Sequence, residues 1–171
     1  MNKRVGFILF LVLLNIGLDQ ITKHIVRAEV VPGSRTEVVG ELLQLMNVEN
    51  SGAFLGMGSE SHPTIKLIFL LILPVIVLGV VLYYLFTNTE LDKFSIVGFS
   101  AVAGGGIANL YDRFMFGSVT DFLFMDFGFV QTGIFNIADL SVTTGMMLLI
   151  IASYKQKKET TKRTKKMQKH N

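Results

Sequence analysis

Five polar groupings stand out in an otherwise apolar chain. Asp19 and Lys23 are four apart, so one helix face carries both. Asn109, Asp112 and Arg113 are spaced by three and four and share a face in the same way. Asn136 and Asp139 form a third set, and Asp121 and Asn50 stand alone. Nucleophilic serine chemistry needs a base beside the serine, and neither His24 nor His62 sits in such a motif. The chain has no cysteine, which removes thiolate nucleophiles and thiolate metal sites. The three histidines, with His170 the last, lack metal-ligand spacing, and no spacing among the carboxylates supports a metal. Two carboxylates remain as the chemistry. Held close, they share one proton: the ionised one takes a proton from water and the protonated one polarises a carbonyl. Such a pair needs neither metal nor cofactor. Asp19, Asp112, Asp121 and Asp139 all qualify, Asp126 lies close by, and spacing alone does not choose among them.

The elements that must position these groups are membrane spans. Half of the 171 residues are hydrophobic, and the mean hydropathy is +0.51. The apolar residues come in long runs, which predicts membrane helices and an all-α membrane protein. The first run covers about Val5 to Leu18 and continues through Asp19 to Lys23. It follows Lys3 and Arg4 but has no small-residue cleavage site after it, so it is read as a retained helix. The second runs from Ile65 to Phe86 with Pro74 inside, and the third from about Phe94 to Tyr111. Gly98, Gly104, Gly105 and Gly106 in the third suit close helix contact in lipid. The fourth runs from about Ile137 to Tyr154, with Gly145, Met146 and Met147 inside.

Charge sets the expected orientation. Residues 155–171 carry eight Lys and Arg against the single acid Glu159, although the whole chain is only +3. Directly after an apolar run, such a tail marks a cytoplasmic anchor near anionic membrane lipids rather than a nucleic-acid site. Four spans place both termini on the cytoplasmic side, with a short inner connection from Thr87 to Lys93. The connections from His24 to Thr64 and from Asp112 to Asn136 then face outward, and every polar set above comes out at that outer surface. Residues 36–54, TEVVGELLQLMNVENSGAF, predict short strands and an amphipathic piece between the first two helices. Residues 1–154 read as one domain, and the polar tail from Lys155 as disordered.

Read in order, DQITK, ENSGAF, GGGIANLYDR, SVTDF and FNIAD resemble the motif series of the lipoprotein signal peptidases, the signal peptidase II family. The resemblance spans Asp19 to Asp139. It implies a bacterial inner-membrane aspartic endopeptidase that cuts prolipoproteins before a diacylglyceryl-modified cysteine, without a cofactor, acting as a monomer. By motif match, Asp121 and Asp139 take the catalytic roles, and Asp19 and Lys23 support the structure beside them. Asn50, Asn109, Arg113 and Asn136 match polar positions lining the substrate pocket, Gly52 binds substrate or supports them, and Asp112 is expected to brace Arg113 through an ion pair. One departure stands in the second motif: only Ala53 separates Gly52 from Phe54, where two small residues are usual, and this bears on Phe54 and Leu55. The first outer connection is expected to act as a lid, with residues 52–58 supplying its motion. Two other classes compete: a small proton-coupled transporter and a non-enzymatic assembly factor. A transporter favours acids at the bilayer midplane and inverted repeats; here the acids gather at one surface and no repeat is visible.

Overall fold

The computed structural model describes residues 3–53 and 57–168, with side chains to residue 160. Phe54 and Leu55 lie outside the described residues. Four helices are long and apolar enough to cross a membrane: α1 (Lys3–Glu29), α2 (Pro63–Thr87), α3 (Lys93–Phe116) and α4 (Ile137–Gln168). At about 1.5 Å per residue each exceeds the hydrocarbon core of a bilayer. Their outward faces are apolar, with Phe10, Leu13, Val80 and Ile150 all well over half exposed. In a bilayer such faces meet lipid rather than water.

The third helix is the hub, packed between α1 and α4 with α2 along a further side. Its small residues make that possible. A methyl group on Gly105 would stand 2.4 Å from the Ala138 carbonyl oxygen, and one on Gly104 2.7 Å from Asn15 Cβ. Gly98 and Gly145 face one another across α3 and α4 just as closely. This is backbone-to-backbone packing, which replaces the hydrophobic drive that lipid does not supply. Asp92 caps the start of α3, its side chain accepting from Ser95 N at 2.7 Å. Gly117, at φ 77°, ends the helix in the left-handed conformation that a side chain resists. In α2 the segment Leu67–Ile72 widens into a π-helix just before Pro74. Pro74 lacks the N–H that a regular turn needs, and the wider turn absorbs that gap.

The connections form a small antiparallel sheet of β1 (Arg35–Val39), β2 (Leu43–Asn50) and β3 (Val119–Met125), in that order. The first two strands come from the stretch expected to form them. The third comes from the connection between α3 and α4, where no strand was expected. Its sequence, VTDFLFM, is rich in β-branched and aromatic residues, which favour a strand. The helix α4 also runs past Tyr154 to Gln168, through residues read from the sequence as a disordered tail. Lys, Gln, Glu and Arg are good helix formers, and the span before them has already nucleated the helix. Both ends of the described chain lie at one end of the bundle. Arg4 donates to the Leu85 carbonyl at 2.7 Å and closes the last turn of α2 there. Lys155 of α4 stacks on Phe94 at 3.8 Å at that same end.

Candidate active site

The other end of the bundle holds the polar groupings. Asn136 and Asp139 fold into a reciprocal cap at the start of α4. Asp139 N donates to Asn136 Oδ1 at 2.9 Å, and Asn136 N donates to Asp139 Oδ2 at 3.3 Å. An amide cap with an acid three residues later satisfies two orphan N–H groups, so local chain physics points Asp139 inward. Asp121 arrives differently. It sits in β3 opposite Val48 of β2, in the register that also pairs Asn50 with Val119.

Asn136 joins the two acids. It is fully buried, and its Nδ2 donates to Asp121 Oδ1 at 2.6 Å while its backbone N–H serves Asp139. Asn50 Nδ2 donates to the second Asp121 oxygen at 2.9 Å, and Asn109 Nδ2 donates to Asp139 Oδ1 at 2.9 Å. Neutral amides therefore surround both carboxylates. Asp121 is only 3% exposed. Burial pushes its carboxyl up to about 6, the Asn50 and Asn136 hydrogen bonds pull against that, and the neighbouring Asp139 adds to the rise. A group poised there holds or gives up a proton near neutral pH.

A charged brace stands behind Asp139. Lys23, fully buried, reaches Asp19 at 2.7 Å, Asp112 at 2.8 Å and Asn109 Oδ1 at 2.8 Å. Asp19 in turn accepts from Ala138 N at 2.8 Å, which ties α1 to the first turn of α4. The expected ion pair between Asp112 and Arg113 is corrected here. Asp112 pairs with Lys23 and with Arg27 Nη2 at 3.2 Å, whereas Arg113 Nη2 donates to the Gly52 carbonyl at 2.9 Å. Adjacent helix residues point about 100° apart and do not face each other. Gly52 N donates to Asn50 Oδ1 at 2.9 Å, so Arg113, Gly52 and Asn50 form one chain of contacts ending on Asp121.

All ten residues singled out from the sequence thus meet at this end of the bundle. Asp126 does not join them: it accepts from Gly128 N and Gln131 Nε2 in an exposed turn. His24 and His62 are exposed, and His170 lies outside the described residues. Two members were missed. Gln20 Nε2 donates to Asp112 at 3.0 Å and to the Ala108 carbonyl at 3.2 Å. Arg27 reaches Asp112 from the last turn of α1. Their signal was polar character one and four residues beyond Asp19 and Lys23, on a helix already known to be otherwise apolar.

Each acid opens onto its own cavity. Asp121 lines one of about 410 Å³ with Asn50, Ser51 and Ser59. Asp139 lines one of about 340 Å³ with Phe69, Leu70, Pro74 and Val142, and Arg113 stands at its polar side. A further cavity, about 730 Å³ between Asn88 and Glu159, is at the far end of the bundle and touches neither acid.

A buried and a partly buried carboxylate held by amides, at one end of a bundle of membrane-length helices, are the equipment of a membrane-embedded aspartic peptidase. Comparison with known proteins agrees. The family model described as signal peptidase (SPase) II matches residues 11–155. The lipoprotein signal peptidase of Maridesulfovibrio salexigens is 36% identical over 140 residues, 82% of this chain and 90% of that protein. The one from Streptococcus pyogenes is 31% identical over 156 residues, 91% of this chain and 97% of that protein. A solved bacterial membrane enzyme, determined by the in meso method, superposes with a TM-score of 0.80 at 29% identity, covering 90% of each chain. The chain belongs to the signal peptidase II family, and is a multi-pass bacterial membrane protease.

Proposed function

We propose that this protease removes signal peptides from diacylglyceryl-modified prolipoproteins, using Asp121 and Asp139 to activate one water. The observation that carries the reading is the shared Asn136. It holds a carboxylate from the sheet and a carboxylate from the bundle together in one amide-lined place. In that setting the pair keeps one proton between its members. The ionised carboxylate takes a proton from water as it attacks the scissile carbonyl, and the protonated one donates to the carbonyl oxygen. The amine of the lipidated cysteine then leaves with a proton from the pair. Asn50, Asn109 and Arg113 hold the substrate backbone, with Arg113 as the strongest donor among them. Asp19, Lys23 and Asp112 brace them from behind, and Gly52 lends the carbonyl that anchors Arg113.

The cavity beside Asp139 opens among Phe69, Leu70 and Val142 and takes the part of the substrate next to its acyl chains. The cavity beside Asp121, lined by Asn50, Ser51 and Ser59 together with Val48 and Ile134, takes the peptide. The basic start and basic tail support a cytoplasmic position for both termini, and with it a site at the outer face of the inner membrane. Residues 1–154 act as a single protease domain, a monomer surrounded by membrane lipid, with the basic tail anchored at the inner surface.

The test is cleavage by the purified protein in detergent, with products read by mass spectrometry. A diacylglyceryl-modified prolipoprotein is cut immediately before its modified cysteine, and the unmodified precursor is not. Equal cutting of both precursors, or cutting elsewhere, overturns the substrate reading.

A further inference from the structure

Asp121 rides on the sheet and Asp139 on the bundle, so something must hold sheet and bundle in register. We propose that Arg27 is a positioning residue that sets the spacing of the two aspartates by clamping β3 to the bundle; the proposal rests on the aspartate-pair reading above. Arg27 Nε donates to Thr120 Oγ1 at 2.7 Å, and that hydroxyl donates to Glu49 Oε1 at 2.6 Å. Ser118 also donates to Glu49. Thr120 and Glu49 face each other in the β2–β3 ladder, one step from Asp121 and from Asn50. Side chains alternate along a strand, so the clamp grips the face opposite the one that presents Asp121.

The same guanidinium reaches the bundle. Its Nη2 lies 3.2 Å from Asp112 Oδ1, an ion pair without an aligned hydrogen bond, and Lys23 joins Asp112 to Asn109 and so to Asp139. Its plane lies over Phe116, 4.2 Å from the ring centre, which fixes its orientation. The direct pairing of Arg27 with the half-exposed Glu49, at 4.0 Å, adds little by itself. The fork is what matters. A planar guanidinium holds two partners at a fixed separation, whereas an ammonium is a single point on a flexible stem. Arg27 thereby spans Thr120 and Asp112 at once.

The test is steady-state cleavage by the purified full chain, normalised to folded enzyme, with thermal unfolding measured alongside. The variants are Arg27→Lys, Thr120→Val, their double, and Asp121→Asn. Small misplacement of reacting groups costs about 10- to 100-fold in rate. Both single variants should lose kcat on that scale with KM held within roughly twofold. The double should be no worse than the poorer single, because both break one connection. A purely structural role gives less folded protein and unchanged kcat per folded enzyme, and that result overturns the proposal. If Arg27→Lys does not fold, Thr120→Val decides alone, since it removes only the hydroxyl. An inactive Asp121→Asn beside fully active Arg27→Lys and Thr120→Val removes the clamp and keeps the pair. A fully active Asp121→Asn removes both.

Discussion

Neutral groups touch both carboxylates, but the two halves of the site differ in what stands behind them. Asp139 stands on a helix start, backed by a buried network of formal charges in which Lys23 holds Asp19 and Asp112. Asp121 stands on a strand, and among the described residues its carboxylate accepts from two neutral amides, Asn50 and Asn136. The difference teaches where rigidity and tunability sit. A buried charge network is costly to break, because each removed partner strands an ion. Neutral amides can be removed at modest cost, but each one changes how readily the carboxylate ionises.

That contrast is open to direct attack, and the charged half should give the largest effect on stability. Lys23→Met leaves buried Asp19 without its cation and takes one of two from Asp112, and should cost about 3–5 kcal/mol, read as a fall in the unfolding transition in detergent. A loss below about 1 kcal/mol would mean that the network is not a brace. In the amide half, Asn50→Ala should cost only about 1–2 kcal/mol. Its larger consequence is on pH dependence. The Asn50 bond holds the Asp121 carboxyl down, so its loss moves the limb of the rate profile near pH 6 to higher pH. An unmoved limb would assign that titration elsewhere.

Asp121 also makes a signed prediction for stability. Its folded value, about 6, lies above the ordinary 3.8. The folded state therefore binds the extra proton, and the stability it brings is complete below about pH 4 and lost as pH rises through about 6. Relative to Asp121→Asn, the parent protein should lose stability across that window; a parallel pair of curves would contradict the shift. The smallest effect belongs to Asp126→Asn, in an exposed turn apart from the pair. Its cleavage rate should stay within roughly twofold of the parent.

The helices were legible because lipid demands long apolar runs, and the glycines of α3 announced close packing before any contact was seen. The strand carrying Asp121 was hidden. VTDFLFM has strand composition, but a short connection between two spans gave no reason to look for a ladder partner seventy residues away. The partner of Asp112 was misplaced because sequence adjacency is not spatial adjacency on a helix. The spacing of Arg27, four residues beyond Lys23, showed the helix face it shares but not its partners, which come from α3 and β3. The choice of Asp121 and Asp139 among several acids came from the resemblance to a family, not from hydropathy or charge.

One measurement bears most directly on that choice. Purified Asp121→Asn and Asp139→Asn, each shown to be folded by its unfolding transition, are assayed on a lipid-modified prolipoprotein. The account predicts that each loses cleavage by a factor of about 100 to 10,000, the usual loss when a general acid or base is removed. Full activity in either variant would contradict it and return the role to another acid.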